Sequence, residues 1–143
     1  MFDSILVVCI GNICRSPMGE TLLRAALPDR NVSSAGIAAL VGHPADPLTL
    51  AVLPEHRAQL EAHRARQLTS SLCRSADLIL VMETAHKRAV ESIDASARGK
   101  IYRWGEWGGF DVPDPYRRPQ LAFEQALTLI RQGLELWLPK IKG

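Results

Sequence analysis

Two stretches of this chain carry a large apolar side chain at every position: Ile5-Leu6-Val7-Val8, and Leu78-Ile79-Leu80-Val81-Met82 following Asp77. A strand with one face in water alternates polar and apolar residues, so uninterrupted runs of this length read as central strands of a parallel sheet, buried on both sides. Each run precedes a segment of helical patterning, Met18 to Leu27 and Thr84 to Ile93. Asn31 to Gly36 reads as a second strand after a break at Pro28-Asp29-Arg30, and Lys100-Ile101-Tyr102-Arg103 as a weaker one between Gly99 and Gly105. Strands alternating with helices predict an α/β fold: one doubly wound domain with a four-stranded parallel sheet, helices on both faces and right-handed crossovers.

The rest of the chain fits around that plan. Ile37 to Pro47 contains Gly42, Pro44 and Pro47 and should be irregular, whereas Leu48 to Leu60 is helical in pattern but should kink or break at Pro54. His63 to Leu68 is a polar connection, and Thr69 is placed to cap a short helix from Ser70 to Arg74. Gly105 to Pro119, with three glycines and three prolines, is too interrupted for a regular element. Phe123, Leu127, Ile130, Leu134, Trp137 and Ile141 fall at three- and four-residue steps, the apolar face of a last helix.

With 143 residues, 47% of them hydrophobic, the chain suffices for a single domain, 1–143, with a real core. A formal net charge of +2 gives no broad basic field, so nucleic acid is not an expected partner and any anion must be recognised locally. No run approaches the ~18 apolar residues of a membrane span, and Met1-Phe2-Asp3-Ser4 is unlike the start of a signal peptide. A cytoplasmic protein without direct membrane insertion is expected. Cysteines at 9, 14 and 73 form no disulfide framework, and His43, His56 and His86 have no ligand-like spacing with them, so no metal or other cofactor is expected.

The chemistry is concentrated where the first strand ends. Cys9-Ile10-Gly11-Asn12-Ile13-Cys14-Arg15-Ser16-Pro17 joins a strand to a helix start, and a loop there presents unpaired N–H groups and the positive end of a helix dipole to a tetrahedral anion. Five residues separate Cys9 from Arg15, which lets a curled loop set a sulfur at its floor and a guanidinium fork at its rim. The same field favours the thiolate of Cys9, a nucleophile needing no separate base. Gly11 offers a position without Cβ, useful for positive φ and for close approach of the anion. Ser16 could cap the helix or donate to the Cys9 sulfur, and Pro17 suits a first helical turn. Singly these residues are ordinary, a buried Cys being usually a small hydrophobe; together they form a phosphate-attacking loop.

A second motif lies far downstream, in Val112-Pro113-Asp114-Pro115-Tyr116-Arg117-Arg118. Two prolines stiffen the chain around Asp114 and remove donors that would tie up its carboxylate, so the acid could protonate a phenolate leaving group and later take a proton from water. Tyr116 could pack on an aromatic leaving group.

These two motifs, in this order and separation, resemble the low-molecular-weight protein tyrosine phosphatases over essentially the whole chain. The resemblance implies a phosphotyrosine phosphatase I-like sheet of strand order 2-1-3-4. It implies Cys9 as nucleophile, Arg15 as phosphate clamp and Asp114 as general acid and then base. The loop residues Ile10, Gly11, Asn12, Ile13, Cys14 and Ser16 bind phosphate or shape the loop; Ser16 stabilises the thiolate, and Asn12 holds the loop through Ser34 and His63. Ser-Ile-Leu-Val-Val-Cys at the start, Leu40-Val41-Gly42 and Asp77-Leu78-Ile79-Leu80 are most similar to the bacterial branch associated with exopolysaccharide and capsule export. That likeness implies as partner the phosphorylated tail of a membrane tyrosine autokinase, acted on by a monomer. Leu40 stands where eukaryotic members have an aromatic residue, leaving Tyr116 as the main aromatic wall of the pocket.

Other residues admit two readings. Cys14 could form a protective disulfide with Cys9 under peroxide or simply pack in the loop; Cys73 reads as core or surface. Trp104 and Trp107 could line a partner surface or support the acid loop, and Arg117 and Arg118 could meet acidic residues near a phosphotyrosine or be solvated. Two rival functions share the loop: arsenate reduction, which needs further cysteines to relay a disulfide, and non-enzymatic phosphotyrosine binding, which needs neither nucleophile nor acid.

Overall fold

The computed structural model describes residues 2–143. Strand β1 (Ser4–Cys9) leads through a loop into helix α1 (Arg15–Ala26). There follow β2 (Asn31–Gly36), α2 (Pro47–Val52), α3 (Arg57–Ala62), α4 (Ser70–Ser75), β3 (Leu78–Val81), α5 (Thr84–Ile93), β4 (Ile101–Arg103) and α6 (Gln120–Lys142). The strands form the parallel four-stranded sheet that the alternation predicts, in the order β2-β1-β3-β4 that the resemblance implies.

The uninterrupted apolar run from Ile5 to Cys9 in β1 has a direct cause. Ile5, Val7 and Cys9 point into a core shared with α1 and α6, while Leu6 and Val8 join the opposite core with α4 and α5. Burying each Ile, Leu or Val side chain contributes about 1.5–3 kcal/mol, so both faces favour an apolar residue at every step. Because β2 and β3 lie on either side of β1, the winding reverses at its carboxyl end, the position where crevices open in such sheets. Cys9 is the last residue of that strand.

One helix departs from its expected bounds. α1 begins at Arg15, three residues before Met18, because Pro17 occupies its first turn, where no intrahelical donor is required. The segment from Leu48 to Leu60 breaks at Pro54 as expected: α2 ends at Val52, Pro54 opens a 3₁₀ turn (Pro54–His56), and α3 starts anew at Arg57. Thr69 caps α4 as expected, accepting the Leu72 N–H at 3.2 Å.

The tryptophans ahead of the acid loop have separate fates. Trp104 is buried between α1 and α6, its indole N–H donating to the Ile130 carbonyl at 2.8 Å. It fits because Gly19 and Gly133 face it: an added Cβ would stand 2.9 Å and 2.5 Å from its ring atoms. Trp107 lies at the surface, edge-on to Trp137, with the Lys140 ammonium 4.5 Å from its ring centroid. Cys73 is core, on the sheet face opposite to Cys9 and Cys14. No helix among the described residues is long and apolar enough to cross a membrane.

Candidate active site

The loop from Cys9 to Cys14 is shaped by where its carbonyls go. Cys9, Ile10 and Gly11 accept from the N–H groups of Ile37, Ala38 and Leu40 at 2.9, 3.0 and 3.1 Å. Asn12 accepts from His63 Nε2 at 2.7 Å, Ile13 from the Asp46 N–H at 2.9 Å, and Cys14 from the Met18 N–H at 3.4 Å. Every carbonyl of the loop is thus engaged by neighbouring chain. No side chain caps α1, so the first amides of that helix also stay free for an anion. Gly36 belongs to this construction: a Cβ there would lie 2.5 Å from the Ile10 carbonyl oxygen.

Asn12 is the hub. It is fully buried and has φ of 60°, the left-handed region that Asn tolerates better than most residues. The expectation that Gly11 takes positive φ is corrected, because the turn falls one residue later; a Cβ on Gly11 would face Leu40 at 3.9 Å, so what Gly11 offers is room. The Asn12 amide donates to Ser16 Oγ at 2.7 Å and Ser34 Oγ at 3.0 Å, and its oxygen accepts the Arg66 N–H at 2.9 Å. Ser34 in turn donates to Glu20. Ser16 Oγ, which accepts from Asn12, lies 2.9 Å from Cys9 Sγ and is the donor when that sulfur is a thiolate, and the Asn12 N–H reaches the same sulfur at 3.3 Å. Ser16 therefore serves the sulfur and does not cap the helix.

Arg15 is 1% exposed and tied from elements distant in sequence. Nη1 donates to Glu83 at 2.5 Å and to the Val112 carbonyl at 2.8 Å, and Nη2 lies 3.6 Å from Asp114 Oδ2. Its Nε is buried without a hydrogen-bond partner. Buried donors of a charged group are costly to leave unmade, so an unpaired Nε beside the loop is a place prepared for an acceptor. Behind Glu83 stands His86, buried, with Nε2 3.5 Å from the same carboxylate oxygen. Burial, and next the charge of Arg15, lower the His86 imidazole below its ordinary value.

Asp114 stands opposite, 40% exposed. The prolines on either side contribute no N–H, but the Tyr116 N–H donates to Asp114 Oδ1 at 3.1 Å, so the carboxylate is not free of local donors as the sequence suggested; Oδ2 is the oxygen left toward Arg15. Asp114 and Tyr116 close a pocket of about 110 Å³ with Cys9, Arg15, Leu40 and the loop backbone. The Arg117 guanidinium, on a residue with φ of 64°, lies 5.2 Å from the Tyr116 ring centroid.

The structure thus brings Cys9, Ile10, Gly11, Ile13, Cys14, Arg15, Leu40, Asp114 and Tyr116 to one cavity, with Asn12, Ser16, Ser34 and His63 packed behind the loop. All three cysteines are free thiols. Burial, and then the negative charges of Asp46, Cys9 and Asp114, push the Cys14 thiol well up, so at neutral pH it stays protonated. Reading the sequence missed Glu83, the Val112 carbonyl, Ala38 and the Arg66 amide. Glu83 had a signal: it follows β3, at the carboxyl edge of the strand beside β1, where such folds gather site residues.

Comparison with known proteins agrees with this geometry. A family model described as low molecular weight phosphotyrosine protein phosphatase matches residues 4–143. The probable low molecular weight protein-tyrosine-phosphatase EpsP of Ralstonia solanacearum is 52% identical over 143 residues, covering 100% of this chain and 99% of that protein. Wzb of Vibrio vulnificus in complex with benzylphosphonate superposes with a TM-score of 0.93 at 48% identity, over 98% of this chain and 99% of that one. The tyrosine phosphatase Wzb of Escherichia coli K30, solved with sulphate, gives 0.94 at 45% identity, over 99% of each chain. With its full length matched at these identities, and a cysteine loop and an acid loop meeting at one pocket, the chain belongs to the low molecular weight phosphotyrosine protein phosphatases and is a protein-tyrosine-phosphatase.

Proposed function

We propose that this phosphatase hydrolyses phosphotyrosine in two displacements through a phosphocysteine on Cys9. Cys9 Sγ attacks phosphorus in line with the ester oxygen. The loop amides and Arg15, including its unpaired Nε, hold the three non-bridging oxygens, on which charge rests in the transition state. Asp114 gives its proton to the departing phenolate, whose conjugate acid has a pKa of about 10 and which would otherwise leave slowly. The carboxylate so formed takes a proton from water as water attacks the phosphocysteine, releasing inorganic phosphate and regenerating the thiolate. Ser16 O–H and the Asn12 N–H stabilise the sulfur each time its charge returns. Leu40 and Tyr116 flank the ring.

The observation that carries this reading is the placement of a sulfur that accepts hydrogen bonds, an orphaned buried guanidinium donor and a carboxylate around one cavity. Benzylphosphonate, held by the Vibrio vulnificus relative, supports an aryl phosphate as occupant, since a CH₂ there stands in for the ester oxygen. The physiological substrate we infer is the phosphotyrosine-bearing cytoplasmic tail of a membrane tyrosine autokinase in exopolysaccharide export. The chain's similarity to EpsP and its branch-like residues support that partner, met in the cytoplasm by a monomer. Arsenate reduction is disfavoured because Cys73 lies across the sheet from Cys9 and Cys14 and cannot relay a disulfide from them.

Phosphate release from an aryl phosphate should vanish in Cys9→Ser and fall about 10²-fold or more in Asp114→Ala, which should still bind substrate. Wild-type turnover in either variant would refute the mechanism. Dephosphorylation of a purified autokinase tail tests the partner separately.

A further inference from the structure

The acid loop is fastened at a point three residues before Asp114. Asp111 Oδ1 accepts from the Thr84 N–H at 3.1 Å, from Thr84 Oγ1 at 3.2 Å and from Arg103 Nη1 at 3.2 Å. Thr84 opens α5 and adjoins Glu83, the anchor of Arg15; Arg103 ends β4. Arg103 is itself fixed, its N–H donating to Glu106 at 3.1 Å and its carbonyl accepting the Trp137 indole N–H at 3.1 Å. The next residue continues the attachment: the Val112 N–H donates to the Met82 carbonyl at 2.9 Å, and its carbonyl accepts from Arg15 at 2.8 Å. Between Val112 and Asp114 stands only Pro113, whose ring fixes φ. Where residues 111 and 112 are held therefore decides where the Asp114 carboxylate stands.

We propose that Asp111 is a positioning residue for the acid: clamped by Thr84 and Arg103, it registers the loop so that Asp114 faces Cys9 across the pocket. This rests on Asp114 being the proton donor. Asp111 is not part of the pocket lining and acts through the backbone alone. Burial by itself would raise its carboxyl; the bonds from Arg103 and Thr84 outweigh that and hold it below the ordinary carboxylate range, so at neutral pH it is a charged acceptor, the stronger kind.

The test is leaving-group dependence. For Asp111→Ala, kcat/KM on phenyl phosphate should fall about tenfold further than on p-nitrophenyl phosphate, whose leaving group needs little protonation, a part of the roughly 10²–10⁴ that a positioned acid contributes. Inhibition by inorganic phosphate should stay within about twofold of the parent, because the Cys9 loop keeps all its own bonds. Thr84→Ala, which deletes one donor, should show the same selective loss on a smaller scale should Asp111→Ala not fold. In an Asp114→Ala background, Asp111→Ala should cost nothing further. An equal loss on both esters, weakened phosphate inhibition, unchanged kinetics, or a full additional loss in the Asp114→Ala background would each overturn the assignment. If instead Asp114→Ala itself leaves leaving-group dependence unaltered, the general-acid reading fails, a result distinct from failure of the clamp.

Discussion

Replacing Asn12 with Ala should reveal how much of the loop depends on one side chain. The substitution deletes the bonds to Ser16 and Ser34 and the acceptor of the Arg66 N–H. Each is worth about 1 kcal/mol net, and the buried groups left behind regain little from water, giving about 3 kcal/mol. Asn12 also sits at φ of 60°, which costs an L-residue such as Ala roughly 1–2 kcal/mol and which Asn tolerates more readily. The sum, about 4–5 kcal/mol, is a large share of the ~5–15 kcal/mol that keeps a domain folded. Urea unfolding followed by tryptophan fluorescence is a suitable assay, since Trp104 is buried. With m about 2 kcal/mol/M, the midpoint should drop by roughly 2 M. Asn12→Gly, free of the φ penalty, should be no less stable than Asn12→Ala. A loss below about 1 kcal/mol would show that the four-residue network around Asn12 is not what holds the loop, and Asn12→Gly falling clearly below Asn12→Ala would refute the conformational part.

Two further outcomes follow from the packing and from the buried histidine. Gly133→Ala gains about 1 kcal/mol of helix propensity, yet its Cβ would stand 2.5 Å from Trp104 Cδ1 and 2.8 Å from the Trp104 carbonyl oxygen. Overpacking of about 1–3 kcal/mol should outweigh the gain and lower Tm by roughly 3–6 °C in calorimetry, whereas an unchanged or raised Tm would mean α6 moves aside freely. His86, with Arg15, Glu83, Asp111 and Asp114 around it, has a folded pKa lowered mainly by burial. Below about pH 6.5 the unfolded chain binds a proton the folded one excludes, so stability should decline as pH falls from there to the depressed value and gain no further slope from His86 beneath it. His86→Gln should flatten that part of the stability profile; an unaltered slope would count against a neutral buried His86.

Much of the site was legible because its essential parts are local. The uninterrupted apolar runs named β1 and β3, since only burial on both faces removes the polar alternate. The Cys9-to-Pro17 spacing fixed a loop between a strand end and a helix start, and Pro54 broke its helix where the ring must. Sequence also carried Asp114 and Tyr116 as a stiffened pair, though not the Tyr116 N–H that engages the carboxylate, because that bond depends on the turn the loop takes once anchored.

Periodicity, and residues within a turn or two of each other, encode the set of strands, the cysteine loop and the stiffened aspartate segment. Only the tertiary structure decided what surrounds Arg15 and what holds Asp114. Glu83 and Val112 reach that guanidinium from 68 and 97 residues away, and Asp111 meets Thr84 across 27. These pairings carry no local pattern. They exist because the order β2-β1-β3-β4 sets the carboxyl ends of β1, β3 and β4 side by side, so that a Cys loop, a helix start and an acid loop meet at one edge.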